Sequence, residues 1–275
     1  MRMRTRTAVI ASMLVLSTGG AGAGEVKIGG TGAAHGLAEL LSEAYSLAHP
    51  GHTVQVIPSL GSSGGIEAVA AEALHASFSG RKLKPEETAK GLREQPYLDS
   101  PFLFVSSHPK PQRVSKPEVV AIFGGALKQW PDGKQISPIL RPKGDSDTAF
   151  VVANIDGMGA ALESLRQRAD VPIAGTDQDN ILAAEKTPYS FAGSTLTQII
   201  TERPRLKVLP LDGVEPTVDA MEKGEYPLRK RLYLVAQAAP SPDTQRFLRF
   251  LTSPEAMKLV RENGGSVVAT ELVAQ

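Results

Sequence analysis

Short apolar runs alternate along the chain with longer segments in which apolar residues recur at helical spacing. Val26 to Ile28 and Thr53 to Ile57 predict strands, and helical periodicity follows each of them, over Ala38 to Leu47 and Glu67 to Leu74. Ala76 to Ser79 predicts a third strand. Because alternating strands and helices form parallel sheets covered by helices, we expect an α/β fold.

Two further runs predict that the chain leaves this first unit and later returns to it. Phe102 to Ser106 is a dense β-rich run before a proline-rich segment, and Leu232 to Val235 predicts a strong strand much later. We therefore expect two lobes joined by two crossover strands, each lobe a mainly parallel sheet flanked by helices. The expected bounds are 25–103 plus 232–275 for lobe 1 and 104–231 for lobe 2, with a ligand cleft between them.

Lobe 2 and the C-terminal region contain further predicted elements. A single helix is expected over the run AFVVANIDGMGAALESL, which starts at Ala149, and another from Pro117. The last part of the chain predicts an amphipathic helix in two pieces around Ser253 and Pro254. The remaining predicted strands are Ser137 to Leu140, Tyr189 to Ser194 and Lys207 to Leu209.

The N-terminus has the pattern of a cleaved secretory signal peptide. Three arginines precede the apolar stretch Ala8 to Leu16, and small residues follow through Gly24. We expect cleavage near Ala23 or Gly24, so that residues 1–24 are the signal. Since the chain has no cysteine, a lipid anchor on a cysteine and thiolate metal sites are excluded. The expected location is periplasmic or secreted, without a membrane-embedded segment.

The charge balance and the histidine positions narrow the classes of function. Without the three signal arginines, 27 of the 30 basic residues remain against 29 acidic ones, which argues against a nucleic-acid or membrane-surface binder. No metal or other cofactor is expected, because His49 and His52 flank a turn without a carboxylate at ligand spacing. The basic run Arg229 to Arg231, which includes Lys230, is interpreted as a solvated face.

The segment RPKGDSDTAF, from Arg141 to Phe150, predicts an anion-binding site. Asp145, Ser146, Asp147 and Thr148 are good capping residues at the start of the predicted helix. First-turn N–H groups lack intrahelical partners and lie at the positive end of the helix dipole, so they favour an oxyanion. Arg141 adds a planar fork that can bond two oxygens at once. The alternative is that these residues merely cap a helix.

Two glycine-rich segments repeat this pattern in lobe 1. PSLGSSGGI follows the strand that ends near Ile57, and KIGGTGAAHGL follows the first strand; each is interpreted as a turn before a helix. Glycines let the backbone approach a ligand closely, and Ser62 and Ser63 add hydroxyl donors. Three such segments in one chain indicate one small oxyanion held by several helix starts.

The chain resembles the phosphate-binding component of bacterial ABC importers, in the type II periplasmic binding-protein family. The resemblance covers most of the mature chain and rests on five segments in the family's order: GSSGGI, FGGALKQW, RPKGDSDT, YPLRKRLYL and SPDTQRFLRFLTSPEAMKLV. It implies a monomeric two-lobed protein that captures phosphate in its cleft, delivers it to an ABC permease and performs no catalysis.

The resemblance also implies a set of ligand-binding residues. Ser62, Arg141, Ser146 and Thr148 stand at positions of direct phosphate ligands, and backbone N–H groups near Ala33, Ala34 and Ser63 complete the set. The chain departs from the family pattern in three places. Ala33 and Ala34 stand where a Thr or Ser with a bulky residue is frequent, so only backbone donors remain there. Gly80 stands where some members have an acidic residue that accepts a phosphate proton, and Asp147 stands where a glycine is expected.

These departures lead to a hypothesis about selectivity. Asp147 or Asp145 would accept the proton that phosphate carries and sulfate lacks, and would thereby reject the fully ionised anion. The alternative is that Asp147 points away from the ligand and pairs with Arg141 or Arg81.

Two other functions are compatible with parts of the sequence. The same fold could bind another oxyanion, or act as an orphan receptor that reports its ligand to a sensor. Gly61 to Gly65 also fits the G-x-S-x-G pattern of α/β hydrolases, with Ser63 as nucleophile. That pattern requires a late histidine, and no histidine follows His108. An enzyme is therefore not expected.

Overall fold

The computed structural model describes residues 24–269. The signal prediction, apart from Gly24, lies outside the described residues. The elements of the first part are β1 (Gly24–Gly30), α1 (His35–Ala48), β2 (His52–Val56), α2 (Gly61–Ala70), β3 (Ala76–Ser79), α3 (Pro85–Thr88) and β4 (Leu92–Ser106). A 3-10 turn, Gly32–Ala34, lies between β1 and α1.

The middle and the C-terminal region add eight helices and five strands within the described residues. They are α4 (Lys116–Phe123), β5 (Ser137–Pro138), α5 (Ser146–Asn154), α6 (Met158–Arg166), α7 (Asp177–Lys186), β6 (Ser190–Thr195), α8 (Leu196–Glu202), β7 (Lys207–Leu209), α9 (Val218–Glu222), β8 (Arg229–Gln237), α10 (Pro242–Phe250), α11 (Pro254–Glu262) and β9 (Ser266–Val267). None of the helices in residues 24–269 has the length and apolar character needed to span a membrane.

The strands form one connected path in the order β2-β1-β3-β8-β4-β6-β5, with β7 and β9 also paired to β4. The pairings β1–β2, β1–β3 and β5–β6 are parallel. Every antiparallel pairing of the described strands involves β4 or β8. At one end of the path β1, β2 and β3 are thus parallel, and at the other end β5 and β6 are parallel. The long strands β4 and β8 connect these two ends.

Strand β4 is much longer than the sequence pattern predicts. Only Phe102 to Ser106 was expected, because the preceding residues include Pro96 and Pro101 and lack a clear alternation. In the structure the first part of β4 pairs with β8, with a register shift between Pro96 and Leu98. Pairing with the distant strand β8 therefore makes this segment a strand, although its local composition does not favour one.

Two helix predictions were wrong in their extent. The single helix expected from Ala149 is divided into α5 and α6, and Gly157, with φ of 86°, caps the second of them. The helix expected from Glu67 begins at Gly61, so the glycine and serine residues form its first turns instead of a preceding loop. The two C-terminal helices are confirmed, with Phe247 and Leu251 fully buried.

The buried apolar residues form separate cores at the two ends of the sheet path. We call the core of β1, β3, α1 and α10, with α2 packed on β1 and β3, the first half. The core of α4, α6, β6 and α9, with α5 packed on α6 and α7 packed on β6, is the second half. Along β4, Leu98 belongs to the first core and Phe102 to the second. The exact lobe bounds, 25–103 plus 232–275 and 104–231, stay a prediction.

Candidate functional site

Ser62 lies where the first half meets the second. It is in the first turn of α2, 6% exposed, and its Oγ accepts a hydrogen bond from the Gly80 N–H at 2.9 Å. The same hydroxyl donates to Ser146 Oγ of the second half at 3.3 Å. A Cβ on Gly80 would lie 2.6 Å from Ser146 Oγ. The first turns of α2 and α5 are therefore in direct contact, and Gly80 permits this closeness.

The start of α5 is fixed by Asp145. This residue is the helix N-cap, and its carboxylate accepts the Asp147 N–H at 2.9 Å. The same carboxylate binds Arg141, with Nε to Oδ1 at 3.3 Å and Nη2 to Oδ2 at 2.8 Å. Arg141 also donates from Nη1 to the Ala174 carbonyl at 3.0 Å. The guanidinium is thus held against the end of the helix that would receive an anion.

Asp177, the first residue of α7, reaches across to the first half. Its Oδ2 accepts hydrogen bonds from Thr31 Oγ1 at 3.2 Å and from the Ala33 N–H at 3.1 Å. Its Oδ1 lies 3.5 Å from Arg141 Nη2. One carboxylate therefore bridges the turn after β1 and the arginine of the second half. Beside it, the Gln178 amide donates to the Gly32 carbonyl at 3.0 Å.

Lys230 and Asp147 form a buried ion pair between β8 and α5. Lys230 Nζ donates to Asp147 Oδ1, and the two residues are 0% and 4% exposed. The ammonium also lies 5.7 Å from the Phe102 ring centroid and 5.9 Å from that of Phe150. Lys230 Cε would be 3.2 Å from a Cβ on Gly80. The pair therefore lies directly behind the contact of Ser62 with Ser146.

Burial dominates the electrostatics of this site. It lowers the pKa of Lys230 to about 8, and the nearby Asp145 opposes this shift. Burial also raises the pKa of Asp177, against the attraction of Arg141 and with the repulsion of Asp145. The formal charges are three carboxylates, Asp145, Asp147 and Asp177, against the cations Arg141 and Lys230. The described side chains of the site thus carry one excess negative charge when all are ionised.

The model of the PBP superfamily domain matches residues 17–255. The chain belongs to this superfamily. A segment of 107 residues is 33% identical to the phosphate-binding protein PstS 2 of Streptococcus pneumoniae, covering 39% of this chain and 36% of that protein. The phosphate-binding protein PstS of Bacillus subtilis is 24% identical over 168 residues, covering 58% of this chain and 51% of the relative. The chain thus matches between about a third and a half of the length of these curated relatives.

A solved structure extends the comparison to the fold. A Clostridium perfringens protein described as a phosphate ABC transporter substrate-binding protein, solved with bound phosphate, superposes with a TM-score of 0.77 at 17% identity. The superposition covers 89% of this chain and 100% of that one. The predicted fold class is therefore confirmed, as is the resemblance to the phosphate-binding branch of the PBP superfamily.

The junction of the two halves draws together most of the residues that the sequence indicated. Ser62, Gly80 and Ser146 meet, and Arg141 and Ala33 share the carboxylate of Asp177. Their role in binding a ligand stays a prediction.

Three predicted residues make other contacts. Ser63 Oγ accepts from Arg81 Nη2 at 3.1 Å, and Arg81 forms an ion pair with Glu87. The Ala34 N–H donates to the Thr31 carbonyl at 3.3 Å, and Thr148 Oγ1 donates to the Pro142 carbonyl at 2.9 Å.

The acidic residues of the site have other partners than expected. The alternative prediction was that Asp147 pairs with Arg141 or Arg81. In the structure Asp147 pairs with Lys230, and Arg141 pairs with Asp145. Since both carboxylates have a cationic partner, the structure weakens the hypothesis that either accepts a phosphate proton. The interpretation of Lys230 as solvated was wrong. Lys230 lies two residues from each of the buried residues Leu228 and Leu232, so the strand period of two places all three on the inner face.

Sequence reasoning missed Thr31, Asp177 and Lys230. The period of β8 was a signal for Lys230, and Thr31 lies inside the KIGGTGAAHGL segment. For Asp177 the only local signal was that of a helix first turn, in which Thr176 is the N-cap and Asp179 completes the capping box. Its contact with Thr31 spans 146 residues, and no local pattern could indicate that.

Proposed function

We propose that this protein is an extracytoplasmic solute-binding protein that captures phosphate, or a closely related tetrahedral oxyanion, in the cleft between its halves. It delivers this ligand to an ABC permease and performs no covalent chemistry. The phosphate-binding names of its curated relatives support the ligand class. The expected signal peptide supports the location.

One observation carries the proposal. The first turns of α2 and α5 meet through Ser62 and Ser146 at 3.3 Å, and Arg141 is held at the same end of α5. Two helix starts and a guanidinium from opposite halves give a tetrahedral oxyanion donors on several sides. Binding between the halves would close them around the ligand, as in hinge-bending receptors.

Calorimetric titration of the mature protein tests this function. The protein is unfolded and refolded to remove bound ligand, and is then titrated near neutral pH with phosphate, sulfate, arsenate and molybdate. We expect phosphate and arsenate to bind and sulfate to bind at least tenfold more weakly. Failure of all four to bind would contradict the proposal.

Ser62→Ala links the titration to the geometry. The substitution removes a hydroxyl at the junction of the halves and should weaken phosphate binding about tenfold, or ~1.4 kcal/mol. Ser164→Ala, on the exposed face of α6, is the matched control and should bind like the unmodified protein. Equal affinities for all three proteins would exclude Ser62 from the site.

The second candidate is the same fold with another oxyanion, or an orphan receptor. The departures from the family pattern at Ala33, Gly80 and Asp147 favour it, because these positions are predicted to contact the ligand. Sulfate or molybdate binding without phosphate would establish this candidate. Genes for a permease and an ATPase beside this gene would instead favour the importer.

The serine hydrolase alternative receives no support from the contacts of Ser63. Its hydroxyl accepts from Arg81, whereas the activation of a serine nucleophile requires a base at hydrogen-bond distance. Ester hydrolysis that is lost in Ser63→Ala would restore this alternative.

A further inference from the structure

The carboxylate of Asp177 occupies donors on both sides of the proposed oxyanion site. On the first half it takes the Ala33 N–H at 3.1 Å and the Thr31 hydroxyl at 3.2 Å. On the second half it lies 3.5 Å from Arg141 Nη2. The Ala33 N–H and Arg141 are two of the donors predicted to hold the ligand.

Asp177 differs from the other two carboxylates of the site in its pairing. Asp145 makes two hydrogen bonds to Arg141, and Asp147 binds Lys230 directly. These two acids therefore neutralise the two cations one to one. Asp177 lies at the longest of the three acid–cation distances and is the excess negative charge. An incoming anion would meet that charge at close range.

Burial makes the carboxylate easy to exchange. Asp177 is 4% exposed, and the loss of water raises its pKa, so its ionised form is unfavourable in this position. If an external anion takes the donors, the Asp177 side chain can turn toward solvent and regain water. The desolvation cost is then recovered during exchange.

We propose that Asp177 is an internal competitor for the oxyanion site: its carboxylate holds the two halves together until an external anion replaces it on Ala33 and Arg141. The inference rests on the proposed function, and it makes Asp177 a specificity-determining residue. The measured affinity of the protein is reduced by the fraction of molecules in which Asp177 occupies the donors. The affinity for dianions is reduced most, because any incomplete displacement of Asp177 leaves its carboxylate beside the bound anion.

The first test compares affinities in the full mature chain. Asp177→Asn keeps the size of the side chain and removes its charge, and Asp177→Ala removes its acceptor atoms as well. We expect both variants to bind phosphate at least tenfold more tightly than the unmodified protein at pH 7.5, by calorimetry. Asp179→Asn removes a carboxylate from the same turn of α7 and should leave the affinity within about twofold.

The second test measures the separation of the halves without ligand. Because the chain has no cysteine, Glu67→Cys on α2 and Lys143→Cys before α5 give a unique pair of spin-label positions. Both residues are exposed. We expect a single short distance by double electron–electron resonance, which lengthens or broadens in Asp177→Ala and returns when phosphate is added.

The outcomes separate this inference from the proposed function. Equal phosphate affinity in the unmodified protein and both Asp177 variants would overturn the competitor and leave the function intact. Unchanged label distances in ligand-free Asp177→Ala would overturn the bridge between the halves. If no variant binds phosphate, sulfate, arsenate or molybdate, the proposed function is wrong, and the label distances still decide whether Asp177 holds the halves together.

Discussion

A single buried ion pair shows how strongly one residue can depend on its partner. Lys230 and Asp147 are almost completely removed from water, and each loses hydration that the other compensates. The neighbouring Arg229 and Arg231 lie on the opposite face of β8 from Lys230, and both pair with Asp99 of the adjacent strand β4. Three adjacent basic residues therefore divide into one internal and two external positions.

We predict that Lys230→Met destabilises the protein by about 3–5 kcal/mol, because it leaves Asp147 buried without its cation. Urea unfolding at pH 7 measures this change. The double variant with Asp147→Leu should recover most of the loss, since both charges are then absent. Arg229→Met is the control and should cost less than about 1 kcal/mol, because its partner Asp99 keeps Arg231. A loss below about 1 kcal/mol for Lys230→Met would disprove the prediction.

Arg81 and Glu87 form a second pair, with a defined pH dependence. Hydrogen bonds from Arg81 lower the pKa of Glu87 to about 2, while burial opposes the shift. In the unfolded chain the carboxyl has its ordinary pKa near 4.5. Between these values the unfolded state binds more protons than the folded state, so this contribution to stability is complete above pH 4.5 and decreases as the pH falls toward 2.

Glu87→Gln should remove that contribution, which is at most ~3 kcal/mol at pH 7. We expect urea unfolding curves of the variant and the unmodified protein to differ most at pH 7 and to converge as the pH approaches 2. Glu86→Gln, an exposed neighbour in the same short helix, should show no such convergence. Parallel stability curves for Glu87→Gln and the unmodified protein would contradict the assignment.

At the scale of elements, the close packing of α2 on the sheet explains one of its glycines. A Cβ on Gly65 would lie 2.2 Å from Ser77 Oγ and 2.5 Å from the Gly30 Cα. The second of these atoms belongs to the backbone of β1 and cannot rotate away. Gly65 therefore sets the distance between the helix that carries Ser62 and the strands beneath it.

Gly65→Ala should destabilise the protein by about 2 kcal/mol, because the overpacking cost of about 3 kcal/mol exceeds the helical gain of about 1. Thermal and urea unfolding measure the difference. The control is Gly159→Ala on α6, where the nearest atom to a new Cβ is at 3.7 Å. This variant should be neutral or stabilised by up to about 1 kcal/mol. Similar changes in stability at the two positions would show that helix propensity alone determines the effect of a glycine-to-alanine substitution.

At the scale of the whole molecule, Gly80 controls how closely the two halves approach. A side chain there would meet Ser146 Oγ at 2.6 Å, although Ser146 belongs to the opposite half. The absence of a side chain at this position thus permits a close contact between the halves. Lys230 and Asp147 lie behind this contact.

Gly80→Ala should weaken phosphate binding at least tenfold while changing the free energy of unfolding by less than about 1 kcal/mol, since the halves can separate to relieve the contact. Calorimetry and urea unfolding of the same preparation measure both quantities. Gly144→Ala, with nothing within 4 Å of its added Cβ, should change neither. A large stability loss without an affinity change would place Gly80 in a core and not at a closing surface.

The sequence by itself determined the α/β class, the two crossover strands and most of the segments that form the site. Local patterns sufficed for these, because helix starts and buried strands are encoded by neighbouring residues: Lys207–Leu209 and Ala76–Ser79 have the predicted bounds. The alternation of β8 also carries the signal that Lys230 lies inside. The segments that carry Ser62 and Arg141 were likewise indicated by capping and glycine signals, and the structure brings them together; their role in binding stays a prediction.

Only the tertiary structure decided the first ten residues of β4, the break between α5 and α6, and the pairing of the charged residues. Asp145, Asp147 and Asp177 are chemically equivalent in the sequence, and each selects its partner through distance and burial. Asp147 meets Lys230 83 residues away, and Asp177 meets Thr31 146 residues away. Such contacts depend on the arrangement of whole elements, because Coulomb and hydrogen-bond energies are set by separation in space and not along the chain.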